Sequence, residues 1–124
     1  MIFDRKRRFM AVGLYDPDSP IRVRILQQGR ATTIDAAWFE QKVAAAAAIR
    51  AGLPATGTTG YRLVHGENDG LPGLVVDVYG ETAVLKLYSA AWLPHLRDVV
   101  AAVTGQFALV GVSEFKFAVM NLTP

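Results

Sequence analysis

Apolar and polar positions alternate strictly along Ile21-Arg-Val-Arg-Ile-Leu26, with Ile21, Val23 and Ile25 on one side and Arg22 and Arg24 on the other. The pattern predicts a half-buried strand that turns its aliphatics to the core and two guanidinium groups to water. Phe9-Met-Ala-Val-Gly-Leu-Tyr15 reads as the strand before it, ended by the turn Asp16-Pro-Asp-Ser-Pro20. The period then changes: Phe39, Val43, Ala46, Ile49 and Leu53 recur at helical spacing. Asp35 is the expected N-cap, Ile34 can staple onto Phe39 at the N4 position, and Gly52 supplies the stop. Pro54 to Gly60 is expected to be a flexible connection.

In the second half, Tyr61-Arg-Leu-Val64 reads as a short strand. Leu74-Val-Val-Asp-Val-Tyr79 and Thr82-Ala-Val-Leu-Lys-Leu-Tyr88 flank Gly80-Glu81. Glycine at the first of two loop positions suits a type II′ hairpin. Its register places Leu74, Val76 and Val78 on one face and Asp77 on the other. A second helix is predicted from about Leu93 to Thr104, with Pro94 in its first turn, an apolar stripe of Trp92, Leu96, Val99, Val100 and Val103, and Gly105 as its end. Phe107-Ala-Leu-Val-Gly-Val112 and Phe115-Lys-Phe-Ala-Val-Met120 read as one or two further strands. The expected class is α+β: a small mixed or antiparallel sheet with two helices, in the order strand-strand-helix-strand-strand-helix-strand.

Composition narrows the chemistry. A chain of 124 residues with 52% hydrophobic positions can bury one domain core. No apolar run approaches the roughly 18 residues of a membrane span, and no apolar segment follows the basic start, so a cytoplasmic location and no membrane partner are expected. The absence of cysteine removes disulfides, thiolate metal sites and a cysteine nucleophile from this chain. Two histidines, His65 and His95, are too few for a His-rich metal site. Residues 1–30 carry seven Lys/Arg (Arg5, Lys6, Arg7, Arg8, Arg22, Arg24, Arg30) against three acids (Asp4, Asp16, Asp18), whereas the remainder carries six against eight. A basic end on a near-neutral body points to a polyanion such as RNA, or to a merely solubilising tip.

The stretch Arg62-Leu-Val-His-Gly-Glu-Asn-Asp-Gly-Leu-Pro-Gly-Leu-Val-Val-Asp77 concentrates a histidine, three carboxylates and three glycines. As chemistry it fits poorly. Asn68-Asp69-Gly70 is only a fragment of a calcium loop, and Gly66, Gly70 and Gly73 match neither a dinucleotide fingerprint nor a phosphate loop. As geometry it fits well, because Asn-Asp-Gly and Pro-Gly are turn-forming sequences. A small enzyme built on Glu67, Asp69 and Asp77 stays as a third, weaker reading.

The string from Tyr61 through this loop to Asp77-Val-Tyr-Gly80 resembles a signature of S-adenosylmethionine-dependent 23S rRNA methyltransferases acting on cytosine C5. Gly13-Leu-Tyr-Asp-Pro-Asp-Ser-Pro-Ile-Arg-Val-Arg-Ile-Leu26 is similar to the same family's segment following its N-terminal PUA domain, and the helix between, with Trp38-Phe39 near its start, agrees in spacing. The resemblance covers roughly residues 3–105. It implies that residues 1–8 are the remnant of the last PUA strand and that 9–124 form the central α+β domain, with an atypical tail over about 106–124. It further implies rRNA as partner, flanking PUA and C-terminal methyltransferase domains, and a homodimer, since family members are commonly dimers. The family's cofactor site and cysteine nucleophile belong to the C-terminal domain, so this chain alone is expected to hold no cofactor and to be inactive. On this reading Arg5, Lys6, Arg7, Arg8, Arg22 and Arg24 bind phosphates, while Arg62 and His65 line the face toward substrate or catalytic domain. Solvated strand arginines, and a His65 bound to its own loop, are the plainer alternatives. Tyr15, Tyr61 and Tyr88 are either base-stacking rings or core edges. The competing function is a structural, dimerising module with no ligand, which an uncovered Trp92, Leu96 and Val103 stripe would favour.

Overall fold

Two sheets and two helices make up the chain in a computed structural model that describes all residues except 4, 19, 31, 51–59, 110–115 and 123–124. Strands β1 (Ile2–Phe3), β2 (Phe9–Tyr15) and β3 (Val23–Gln28) form an antiparallel sheet in the order β1-β2-β3. Helix α1 (Ala36–Ile49) leads to a second sheet of β4 (Gly60–His65), β5 (Leu74–Tyr79), β6 (Thr82–Leu87) and β7 (Lys116–Asn121), ordered β4-β5-β6-β7. The first three of these are antiparallel, and β7 joins β6 in parallel after the crossover through helix α2 (Leu96–Ala108). The α+β class with two helices stands, carried by two sheets rather than one.

Both helices cover the same face of the four-stranded sheet. Phe39, Val43 and Ala46 of α1 and Val99, Ala102 and Val103 of α2 meet Leu74, Val76 and Val78 of β5 and Ala83, Leu85 and Leu87 of β6. Period-2 strands and period-3.6 helices here each give their apolar side to one shared core. Leu14 and Leu26 bring the three-stranded sheet onto it. Asp35 caps α1 by accepting from Trp38 N at 3.0 Å, as its sequence position implied. Tyr79 pairs with Thr82 across Gly80-Glu81, and Gly80 alone of the two has positive φ, at 59°. That fits the II′ turn, in which only the first loop residue needs the left-handed region.

Three expectations change. In β3 the faces are reversed: Val23 and Ile25 are 44% and 39% exposed, whereas Arg24 is half-buried and Leu26 buried. Register explains it, since Leu14, which reaches the core, pairs with Arg24, and Tyr15 pairs with Val23. Alternation states which residues share a face; tertiary packing decides which face is covered. Second, the C-terminal helix starts later and ends later than expected. Ala90–His95 is a 3-10 segment containing Pro94, and α2 proper passes through Gly105 to Ala108. Phe107, packed on the core, offsets the weak helix propensity of glycine. The strand expected over 107–112 is therefore helical at its start, and its later residues lie outside the described ones, as do Gly52, Leu53 and the connection from Pro54. Third, Trp92 and Val103 are fully buried and Leu96 packs on the core, so the helix stripe that would have favoured a dimerising module is covered.

Trp92 also joins the core to the loop after β4, its Nε1 donating to the Pro72 carbonyl at 2.9 Å. Trp92→Phe keeps an aromatic ring but leaves that buried carbonyl unpaired, which costs about 1–3 kcal/mol. The expected result is a lower urea midpoint at unchanged slope, measured by equilibrium unfolding.

Candidate functional site

The sixteen-residue loop segment resolves into a hairpin connection whose charges are mostly engaged. Gly66–Asp69 winds as a 3-10 turn, and Gly66, Gly70 and Gly73 all take positive φ. Asp69 accepts both guanidinium nitrogens of Arg50, at 3.0 and 2.9 Å, and the His65 backbone N–H at 2.6 Å. Arg50 closes α1, so this pair pins the loop to the helix end. His65 holds the Asn68 side-chain amide 3.2 Å from its Nδ1.

Asp77 sits at the centre of β5 on the side away from the helices. Arg62 Nε and Nη2 donate to its two oxygens at 2.8 and 3.2 Å, and Lys86 Nζ stands 2.9 Å from Oδ2. The strands dictate this cluster, because Arg62 lies directly opposite Asp77 in the β4–β5 register and Lys86 is its diagonal neighbour on β6. Burial acts to raise the Asp77 pKa, but the hydrogen bonds and charges of Arg62 and Lys86 outweigh it and hold the carboxyl below the usual range. A carboxylate held by two cations is a poor general base, and Asp69 is similarly occupied. Among the described residues no three His, Asp or Glu side chains gather to hold a metal.

A cleft of about 290 Å³ opens where the two sheets meet, lined by Arg24, Arg62, His65, Glu67, Val75 and Tyr88 among others. Gly73 lets Arg24 in: a Cβ there would stand 3.0 Å from Arg24 Nε, and its φ of 77° independently favours glycine. The inward turn of Arg24 is a packing outcome that the alternating pattern could not disclose. Arg24, Arg62 and His65 are brought together in this cleft. Arg22 is exposed at the entry to β3. Arg5, Lys6, Arg7 and Arg8 lie on the exposed turn between β1 and β2, with Arg7 at a φ of 61°. They are about five residues of strand, roughly 17 Å, from the position of Leu14 beside Arg24.

Of the tyrosines, Tyr61 packs on the core and its pKa is raised by that burial, whereas Tyr88 opens to the cleft. Sequence reasoning passed over Lys86 and Tyr79. Their signal was parity: both lie an even number of residues from a position on the Asp77 face, once the β5–β6 register is known. It also missed the Asp16–Ser89 contact, where Ser89 Oγ donates to Asp16 Oδ2 at 2.6 Å and keeps that carboxyl below its usual range. The junction from β6 to the helical segment runs through Tyr88-Ser89, with Ser89 so engaged and no glycine present. This is a poor fit for the open glycine-rich turn by which doubly wound folds hold an adenosyl cofactor.

A family described as PUA-like domain matches residues 1–28. A ribosomal RNA large subunit methyltransferase of Deinococcus radiodurans is 50% identical over 89% of this chain. A ribosomal RNA large subunit methyltransferase I of Pseudoalteromonas atlantica is 35% identical over 91% of it. The chain's homologues are large-subunit rRNA methyltransferases. It spans 29% of the length of each of these two relatives. The same fold occurs in a structure described as a SAM-dependent methyltransferase from Streptococcus mutans, with a TM-score of 0.76 at 16% identity, over 86% of this chain and 28% of that one. A methyltransferase structure complexed with SAH gives a TM-score of 0.77 at 16% identity, with the same coverage. Among the described residues no helix is long and apolar enough to cross a membrane.

Asp77→Asn tests the cluster. A folded-state pKa below the unfolded value adds stability that is complete above the unfolded pKa, near 3.9 for Asp, and lost as pH falls through the folded one. At pH 7 the variant is expected to lose about 2 kcal/mol, less than a fully buried pair because Arg62 is 44% exposed and screened. The gap between variant and parent should close as pH falls below about 4, read by urea unfolding across pH.

Proposed function

We propose that this chain is an RNA-contacting, scaffolding part of a cytoplasmic, S-adenosylmethionine-dependent rRNA methyltransferase of the cytosine-C5 type, and that it carries no catalytic residue of its own. The observation that carries this reading is the convergence of Arg24, Arg62 and His65 on one cleft between the two sheets. The names of the relatives supply the RNA, and the charged cleft supplies a place for it. Residues in the β1–β2 turn, Arg5 to Arg8, add a second basic contact farther along the three-stranded sheet. Phosphates meeting these side chains release counterions, which gives affinity and orientation with little sequence reading. The catalytic domain and the remainder of the PUA-like unit are partners supplied outside these residues.

One observation favours the competing structural reading. The outer side of the three-stranded sheet leaves Tyr15, Val23 and Ile25 exposed together. Such an apolar face belongs against something, and a second copy of the chain is one occupant. Sedimentation velocity separates the readings: a stable dimer with no RNA affinity at low salt supports the structural module.

For the RNA reading, the expected result is binding of this chain to large-subunit rRNA fragments with log K falling linearly in log salt, measured by fluorescence anisotropy. Arg22→Ala with Arg24→Ala should flatten that slope by about 1.4 on single strands, roughly 0.7 for each phosphate that is no longer neutralised. A slope unchanged by both substitutions would sink the reading.

A further inference from the structure

Among the described residues the four-stranded sheet has helices on one side only. Its other side carries, in register, Arg62 on β4, Asp77 and Tyr79 on β5, Lys86 on β6 and Lys116 on β7. Tyr88 continues this face just beyond β6, where it lines the cleft with Arg62. Tyr79 and Tyr88 are 53% and 44% exposed, values at odds with rings that merely edge the core, as Tyr61 does. Tyr79 pairs with Thr82 at the start of β6, so the two rings stand about six residues of strand apart, roughly 20 Å. They cannot clamp one base between them. They can mark two ends of a track.

Between and beside the rings lie the cations. Arg62 and Lys86 share Asp77, which leaves the trio with one positive charge in excess and holds both long side chains in fixed positions. Arg24 enters from the other sheet at one end, and Lys116 is exposed at the other. A face with positive charge along its middle and two open aromatic rings complements a chain that offers both phosphates and unpaired π faces. A duplex offers the first but hides the second in its stack.

We propose that this open sheet face is a stacking platform for unpaired nucleotides, with Tyr79 and Tyr88 receiving bases and Arg24, Arg62, Lys86 and Lys116 following the backbone. The proposal rests on the RNA-contacting reading above and sharpens it: the substrate segment is single-stranded where it meets this chain. Asp77 is a positioning residue in this arrangement, since it orients two cations and faces no base.

The test uses the 124-residue chain and two fluorescein-labelled probes of about 12 nucleotides, within the roughly 4–16 that single-strand folds accept. One is a uridine homopolymer and the other the same strand annealed to its adenosine complement. The single strand is expected to bind more tightly than the duplex. Tyr79→Ala and Tyr88→Ala should each weaken single-strand binding by roughly 5- to 150-fold, the range for removal of one stacked base, with little effect on the duplex. Tyr79→Phe and Tyr88→Phe, which keep the rings, should recover most of the affinity and control for folding. Equal binding of both probes, with alanine variants as tight as the parent, would overturn the platform while leaving a phosphate-only contact through Arg22 and Arg24. Absence of binding to either probe by the folded parent chain at low salt would overturn both.

Discussion

The indole of Trp92 ties the two functional layers of this structure together. Its ring is fully buried, edge-on to Phe39 at 6.0 Å between centroids and to His95 at 6.2 Å. From that position its one polar atom reaches the carbonyl of Pro72, inside the loop that ends at Gly73. The apolar bulk of the ring holds the helical segment on the sheet, while the hydrogen bond fixes the height of the loop over the core. Gly73 is thereby held where Arg24 can pass beside it, and Tyr88 N donates to the Gly73 carbonyl at 2.9 Å. Core packing and cleft geometry are one problem solved once.

The charged residues follow a second constraint. A buried carboxylate must find cations or stay protonated, and both Asp69, in the 3-10 turn, and Asp77, on β5, have found them. Asp69 directs its oxygens to the end of α1, which makes it architecture. Asp77 directs its oxygens to Arg62 and Lys86, which remain partly exposed, at 44% and 24%. The same ion-pair chemistry therefore ties Arg50 to the end of its own helix and leaves Arg62 and Lys86 on the other side of the sheet. That difference in direction, rather than the number of charges in the loop, separates Asp69 from Asp77.

Much of this was legible in the sequence wherever a local rule decided the outcome. Asp35 as a cap, Gly80 opening a two-residue hairpin and the inward Leu74, Val76 and Val78 all depend on neighbours within a few positions. The reversal of β3 was not legible, because Arg22-Val-Arg-Ile gives the same alternation whichever side is covered, and covering depends on Leu14 and Leu26 meeting a sheet formed much later in the chain. The passage of α2 through Gly105 was hidden for a related reason: Phe107 gains more from the core than glycine loses in the helix. At the site, Arg24, Arg62 and His65 could each be suspected from type and position, but their meeting in one cleft is a property of how the sheets abut.

That meeting also bears on which activity belongs to these residues. A methyl transfer needs a nucleophile or base with spare capacity and a cradle for the methyl donor. The chain has no cysteine, Asp69 in the turn after β4 and Asp77 on β5 are held by cations, and Ser89 in the turn after β6 is engaged by Asp16. What remains in the cleft and on the open sheet face is a set of cations and phenol rings, groups that bind and orient without making or breaking bonds. On the RNA-contacting reading proposed above, such a surface would serve the reaction of a longer protein by deciding where RNA lies and in which pairing state it arrives. Positioning of that kind can account for a large share of a catalysed rate, since a substrate held in line with the reacting group no longer loses that freedom at the transition state. On that reading, residues that only bind and orient can be as necessary to turnover as those that touch the methyl group.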